Sequence, residues 1–214
     1  MPLRRRPICL CVALAALACA VTAPAPAAAA TNSCRAESTR SGNSIVVANR
    51  TGVVFNSRRL KDVVACTYKD RRLVRLRGVC CQFERYQLGA RYLGFAYRLD
   101  EADNEVDEMG VYDLKTGKRV PFSKQSGPTT VDTGGFVESF HVTAKGGLAW
   151  IQLFRPEDNG TPDPNDVGVY TIAPGGQPQQ LDRGNIDPNS FAVSSGGRTA
   201  YWTHDTVVKS APIG

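Results

Sequence analysis

Two histidines are the natural candidates for acid–base chemistry in this sequence. His141 lies between Phe140 and Val142 in an alternating segment, and His204 precedes Asp205 at an expected hairpin turn. A Ser–His–Asp arrangement needs no closeness along the chain, but the Gly-x-Ser-x-Gly motif that marks many nucleophiles does not occur in the sequence. These positions favour a hydrogen-bonded structural role for His141 and a solvent-exposed position for His204.

Two acidic segments, 100–108 and 157–166, offer a second kind of chemistry. Carboxylate and carbonyl oxygens at this density suit Ca²⁺, which takes six to eight oxygen ligands. Neither segment has the ligand spacing of an EF-hand loop. The sequence therefore predicts at most a weak calcium site, with solvated acidic loops as the alternative and no other cofactor. Its ligands would be Asp103, Asp107, Asp158 and Asp166.

Basic residues concentrate in the first third of the chain. Arg58, Arg59 and Lys61 occupy one expected loop, and Lys69, Arg71 and Arg72 lie at the following turn. Such residues either bind an anionic wall polymer or a membrane surface, or are exposed charges that protect solubility.

The N-terminal segment has the order of a secretory signal peptide. Arg4 to Arg6 precede an apolar run from Ile8 to Ala20, and Ala28-Ala29-Ala30 fits the small-residue cleavage pattern. The apolar run is shorter than the roughly 20 residues that a bilayer requires. We expect a signal peptide at 1–30, a mature protein that begins near Thr31, and a secreted, periplasmic or cell-surface location without a transmembrane span. An uncleaved anchor and a lipid at Cys19 are the alternatives.

Charge and length restrict the remaining classes. Three of the 26 Lys and Arg residues lie in the leader, which leaves 23 against 20 acidic residues and a net charge of +3. This balance is too weak to indicate nucleic acid, which calls for a clustered basic face. The residues 31–214 fit one domain, and we expect it to be a monomer.

The cysteines of the mature chain are Cys34, Cys66, Cys80 and Cys81. Export places them in an oxidising compartment, where disulfides form. The sequence predicts a bridge from Cys34 to Cys66, or from either of these to Cys80 or Cys81. The alternative is a redox or metal site. These four cysteines do not contain the Cys-x-x-Cys motif that would indicate one.

These candidate residues lie on repeated strand segments. Four repeats, each about 40–50 residues long, share an alternating strand, a turn, a more apolar strand, a longer loop, a third strand, a tight turn and a short fourth strand. Val, Ile, Tyr, Phe and Thr dominate the strands, and Gly and Asp fill the turns. The repeats begin at Ser44, Phe83, Val137 and Ser190, and the last one stops after three strands.

Two pairs of segments carry a resemblance to a known group of proteins. Gly94-Phe95-Ala96-Tyr97 with Val111-Tyr112-Asp113-Leu114-Lys115-Thr116-Gly117-Lys118, and Gly147-Leu148-Ala149-Trp150 with Val169-Tyr170-Thr171-Ile172, resemble blades of bacterial secreted β-propeller proteins of the TolB, YVTN and quinoprotein-like kind. The resemblance covers residues 44 to 211. It implies an all-β fold of blades and transfers no catalytic residue.

The predicted fold is therefore all-β and β-propeller-like, with about four four-stranded antiparallel blades. A closed ring needs one more strand, for which Arg35 to Arg40 is the candidate; an open blade array and a β-sandwich are the alternatives. One aromatic residue in the second strand of each repeat is expected to pack between adjacent sheets. These four residues are Phe55, Tyr97, Trp150 and Tyr201.

Complete blades, charged loops and the lack of a motif for chemistry together favour a binding protein. We expect an exported, non-enzymatic scaffold of the cell envelope or extracellular space that binds a protein or glycan on one rim. The alternative is a small secreted hydrolase or lyase that uses His141 or the acidic segments.

Overall fold

The structure, a computed structural model, describes residues 31–76, 83–101, 104–122, 131–154 and 163–214. In these ranges the chain forms one helix and sixteen strands. Their bounds are α1 (Thr31–Ser38), β1 (Ser44–Ala48), β2 (Gly52–Ser57), β3 (Asp62–Thr67), β4 (Leu73–Arg75), β5 (Phe83–Leu88), β6 (Tyr92–Glu101), β7 (Asn104–Asp113), β8 (Lys118–Arg119), β9 (Val131–Asp132), β10 (Gly135–Val142), β11 (Leu148–Phe154), β12 (Val167–Ile172), β13 (Gln179–Gly184), β14 (Ile186–Val193), β15 (Thr199–His204) and β16 (Val207–Pro212).

The strands pair in chain order into four antiparallel sheets, which we call blades 1 to 4. Blade 1 is β1–β4, blade 2 is β5–β9, blade 3 is β10–β13 and blade 4 is β14–β16. In blade 2 the outer strand is split, because β8 and β9 both pair with β7. The predicted all-β, propeller-like fold of four blades is confirmed, as is a last blade of three strands.

Blade 3 illustrates how the sequence builds a sheet that is buried on both faces. Leu148 and Trp150 of β11 point toward blade 2, whereas the alternating Ala149 and Ile151 point toward blade 4. Strands buried on both faces carry nearly continuous apolar runs. This explains why β11 and β12 are the most apolar segments of the blade.

Apolar layers join the blades in sequence. Val54, Ala65 and Val74 of blade 1 pack on Leu93 and Phe95 of blade 2. A second layer lies between blades 2 and 3, and a third between blades 3 and 4. Each blade therefore depends on its immediate neighbours for burial, as in other repeat proteins.

Helix α1 covers the outer face of blade 1. Cys34 and Ser38, one helical turn apart, are buried, and Cys34 packs with Val53, Phe55 and Val64 of the sheet. The prediction that Arg35 to Arg40 would supply a closing strand is wrong. That segment has one β-branched residue, Thr39, and its buried Ser38 lies one helical turn after the buried Cys34, so it belongs to a helical cap.

Blade 4 ends the array with an uncovered face. Tyr201 is 40% exposed and Val208 is 71% exposed on the face that points away from blade 3. No sheet in the described part of the chain closes on itself. Because α1 packs on the outer face of blade 1 and the outer face of blade 4 is uncovered, the described blades form an open array, which is one of the predicted alternatives.

The acidic segment of the second repeat was predicted to be a long loop. In the structure it is part of a β-hairpin. Strands β6 and β7 pair over their full length, with Arg98 opposite Asp107 and Glu101 opposite Asn104. The extended backbone of β6 and β7 continues through this polar stretch, so their backbone pairing reaches beyond the apolar core.

The described ranges contain no helix with the length and apolar character needed to cross a bilayer.

Candidate binding surface

The meander of each blade determines which turns lie together. Because paired strands are antiparallel and follow chain order, the turn after the first strand and the turn after the third strand lie at the same end of the blade. We call this end of the array the basic rim. Its turns are residues 49–51, 68–72, 89–91, 114–117, 143–147, 173–178 and 194–198.

Hydrogen bonds join the rim turns of blades 1 and 2. The Asn49 side-chain amide donates to the carbonyl oxygen of Leu88 at 2.8 Å. The Arg72 guanidinium donates to the carbonyl oxygen of Lys115 at 2.7 Å. Both the inner and the outer turns of these two blades are therefore fixed against each other.

The same surface continues across blades 3 and 4. The Gly175 N–H donates to the carbonyl oxygen of Pro121 at 2.8 Å and links blade 3 to blade 2. The Ala144 N–H donates to the carbonyl oxygen of Gly197 at 3.4 Å and links blade 3 to blade 4. The rim is consequently one surface rather than four separate sets of loops.

Charge on this surface has one dominant sign. Only two side-chain carboxylates, Asp70 and Asp113, lie in or directly beside the rim turns within the described residues. The basic side chains there are all exposed. They are Arg50, Lys69, Arg71, Arg72, Arg91, Lys115, Lys118, Lys145 and Arg198.

The opposite rim carries both signs. Arg58, Arg59 and Lys61 lie there on blade 1. The described carboxylates of blades 3 and 4 at this end include Asp163, Asp166, Asp182, Asp187 and Asp205. The cationic character is thus a property of one end of the array.

Arg91 and Asp113 form an ion pair on the basic rim. The Arg91 guanidinium meets the Asp113 carboxylate through two nitrogens, at 3.0 and 2.6 Å. This hydrogen bond lowers the pKa of Asp113 from 3.8 to about 2; burial acts in the opposite sense, and the Lys115 N–H adds to the lowering. The pair fixes the turn at 89–91 to the end of β7.

His141 lies on the innermost strand of blade 3 and bridges to blade 2. Its Nδ1 is hydrogen-bonded to the side-chain amide of Gln87, whose oxygen accepts the Val142 N–H. Its ring also contacts Phe191 of blade 4. Burial lowers the pKa of His141. These contacts are those of a structural residue.

The prediction that His204 is solvent-exposed is wrong. The predicted turn after it does form, at Asp205 and Thr206. The His204 side chain is 17% exposed, and its Nδ1 lies 2.8 Å from Asp182 Oδ2. The indole N–H of Trp202 donates to the same oxygen at 2.7 Å. Asp182 was missed at the sequence level because its partners lie in the next blade.

Two of the four predicted calcium ligands, Asp107 and Asp166, lie in the described part of the chain. Both form ion pairs with arginine side chains. Asp107 is fully buried; its oxygens lie 3.0 Å from Arg85 and 3.3 Å from Arg98. Asp166 lies 2.7 Å from Arg183.

Asp103 and Asp158 lie outside the described residues, so the calcium site stays a prediction. Within the described ranges no group of three or more His, Cys, Asp or Glu side chains is placed to hold a metal ion.

Cys34 and Cys66 form a disulfide across 32 residues, with their Cα atoms 5.8 Å apart. This is one of the predicted pairings. Cys80 and Cys81 lie outside the described residues. The bond joins α1 to the middle of blade 1.

No protein-family model and no curated protein matches the chain. Among solved structures, the chain is similar to Pyrococcus horikoshii acylaminoacyl peptidase in its orthorhombic crystal form, with TM-score 0.49 and 11% identity over 71% of this chain and 26% of that chain. The uncomplexed form gives TM-score 0.47 and 10% identity, with the same coverage of 71% and 26%. The chain spans about a quarter of the length of these proteins.

Proposed function

We propose that this chain is an exported, non-enzymatic binding scaffold of the cell envelope or extracellular space, related to bacterial β-propeller repeat proteins. It holds a protein or glycan partner on the basic rim. The leader sequence and the buried disulfide support export, because disulfides persist in oxidising compartments.

The observation that carries the proposal is the continuity of the rim. Turns from all four blades contribute to it, and hydrogen bonds such as Asn49 to Leu88 and Ala144 to Gly197 join neighbouring turns. Binding residues are frequently found on loops that a rigid scaffold positions. The sheets behind this rim supply that scaffold.

The contacts of the two histidines support a non-enzymatic role. His141 is held by Gln87 and Phe191, and His204 is held by Asp182. Each ring joins one blade to its neighbour. Their positions are explained by packing between blades.

Site-specific photo-cross-linking of the full chain in its own envelope tests the proposal. Thr116 and Ser195 are exposed, uncharged rim residues on blades 2 and 4 and accept the cross-linking amino acid. Arg58 on the opposite rim and Val208 on the outer face of blade 4 are matched exposed controls.

We expect adducts from both rim positions and from neither control. Adducts confined to the controls, or none from any of the four positions, would contradict the proposal.

A further inference from the structure

We propose that the partner of the basic rim is a linear anionic polysaccharide. This inference rests on the proposed function and specifies its ligand class. It follows from the number of cations on the rim, their distribution over the blades and the kinds of side chain between them.

The first step concerns which cations are available. Arg91 is already paired with Asp113, and Arg72 and Lys145 donate to the main-chain oxygens of Lys115 and Gly214. Five exposed rim cations make no ion pair within the described ranges. They are Arg50, Lys69, Lys115, Lys118 and Arg198. An anionic ligand would therefore not have to displace a carboxylate.

The second step concerns the size of the ligand. Packed sheets lie about 10 Å apart, so rim cations on four consecutive blades extend over roughly 30 Å. The Debye length at physiological ionic strength is about 8 Å. A small anion would feel the cations of one blade, whereas a chain of regularly spaced anionic groups would meet Arg50, Lys115 and Arg198 in turn. Lys145 of blade 3 adds its charge between the last two, because its ammonium group has two donors left beside the one bonded to Gly214.

The third step separates a polysaccharide from a nucleic acid. Proteins that hold single strands stack bases on exposed aromatic rings. The rim tyrosines are not exposed for stacking: the Arg35 guanidinium lies 5.5 Å from the Tyr68 ring centroid, and that of Arg91 lies 5.1 Å from Tyr92. Exposed polar side chains stand between the cations instead and suit sugar hydroxyls. They include Thr116, Gln177 and Ser195.

The fourth step separates a polysaccharide from a membrane surface. Peripheral membrane proteins combine basic residues with apolar side chains that enter the bilayer. Of the large exposed apolar side chains in the described residues, Leu73 lies directly beside a rim turn, whereas Val207 and Val208 lie toward the opposite end of blade 4. The rim therefore offers charge without a face for insertion.

Heparin binding by the full chain at low and physiological salt tests this inference. The rim variant combines Lys69→Gln, Lys115→Gln and Lys118→Gln. The control combines Arg58→Gln, Arg59→Gln and Lys61→Gln on the opposite rim, which removes the same charge. Thermal unfolding of both variants verifies that each folds.

We expect the rim variant to bind heparin about a hundredfold more weakly, since it lacks three cations and each cation at an anionic surface contributes about a factor of five. Its affinity should also depend less on salt. The control should keep wild-type affinity within about twofold, because its cations lie at the opposite end, more than a Debye length away.

Three outcomes overturn the inference: no heparin binding by the wild type, equal losses in both variants, or tighter rim-dependent binding to anionic phospholipid vesicles or to single-stranded DNA than to heparin. The failures are distinguishable. If the rim cross-links to a protein but does not bind heparin, the scaffold function stands and only the polysaccharide as ligand is excluded. If the rim binds heparin but forms no cross-links, the protein has a different role in the envelope.

Discussion

At the residue scale, Trp150 shows how one side chain joins two blades. It is 1% exposed, lies in the apolar layer between blades 2 and 3 and stacks on Tyr170 with ring centroids 5.2 Å apart. Its indole N–H donates to the Gln152 side-chain oxygen at 2.6 Å. The ring is therefore both buried and fully hydrogen-bonded, which favours a structural role.

Replacement of Trp150 tests this role. Trp150→Ala should lower the free energy of unfolding by about 3–5 kcal/mol, because it opens a cavity between two sheets. Chemical unfolding measures the change. Tyr201→Ala is the control and should cost much less, since Tyr201 is 40% exposed. A Trp150→Ala protein as stable as wild type would contradict the burial.

Acid should weaken the Arg91–Asp113 pair. The folded-state pKa of Asp113 is about 2, below its ordinary value of 3.8, so the stabilisation is present above about pH 4 and is lost as the pH falls toward about 2. Because Arg91 is exposed to solvent, screening keeps this contribution small.

Urea unfolding between about pH 6 and about pH 2 measures this dependence. Arg91→Ala should be less stable than wild type at the upper end and should lose less stability on acidification. Arg50→Ala, at an exposed turn, should keep the wild-type pH dependence. Identical pH profiles for wild type and Arg91→Ala would show that the pair does not stabilise the fold.

At the scale of the element, α1 takes the place that a preceding blade would occupy. Phe55, Tyr97 and Trp150 all point toward the preceding neighbour in the array, as the repeat alignment predicts. For Phe55 that neighbour is the helix rather than a sheet. Terminal units of repeat proteins need such a cap because one of their apolar faces has no partner.

Removal of the Cys34–Cys66 bond tests the cap. Cys34→Ala combined with Cys66→Ala should lower stability by about 2–4 kcal/mol, mainly through the entropy of the unfolded chain. It should also increase binding of a hydrophobic dye, since α1 would no longer be held over Phe55. Thermal unfolding and dye fluorescence measure the two effects.

The control for this experiment is wild type under mild reductant, which should retain the bond because both sulfur atoms are buried. A peptide map of the unreduced protein should show Cys34 linked to Cys66. A map in which either residue is linked to Cys80 or Cys81 would contradict the structure.

At the scale of the whole molecule, the two ends of the array differ. Blade 1 ends in a helix and a disulfide, whereas blade 4 ends in an uncovered face and in β16, a strand paired on one side. Edge strands commonly carry charge or proline, which limits further pairing. Lys209 and Pro212 lie on β16 and serve this purpose.

Amide hydrogen exchange should follow this asymmetry. Amides of β11 should exchange most slowly, because blades 2 and 4 cover both faces of its sheet, and those of β16 should exchange fastest among the paired strands of blade 4. Strand β15, which pairs on both sides, is the internal control. Equal protection of β16 and β11, measured by mass spectrometry, would indicate that the array is closed or covered.

The local pattern of the sequence was sufficient to predict several features of this protein. Alternation of apolar and polar residues is a period-two signal carried by adjacent positions, so it indicated the strands, the four repeats and the shortened last blade. It also limited the disulfide to a few pairings, because exported cysteines have few available partners.

The side of each sheet that is covered depended on tertiary structure. Tyr201 and Trp202 are neighbours in β15, and a shift of one residue in the repeat alignment exchanges their faces. Tyr201 was expected to pack between sheets, but Trp202 does so and Tyr201 faces outward. The helical cap was missed for a related reason, since its partners Phe55 and Val64 are distant in sequence.

The basic rim was also decided by tertiary structure. Its cations stand singly or in small groups in turns that are tens of residues apart, as Arg50, Lys115 and Arg198 are. In sequence they are diluted by acidic segments, so the net charge indicated no binding surface. The antiparallel meander brings alternate turns of every blade to one end, and the stacking of blades joins them into a surface.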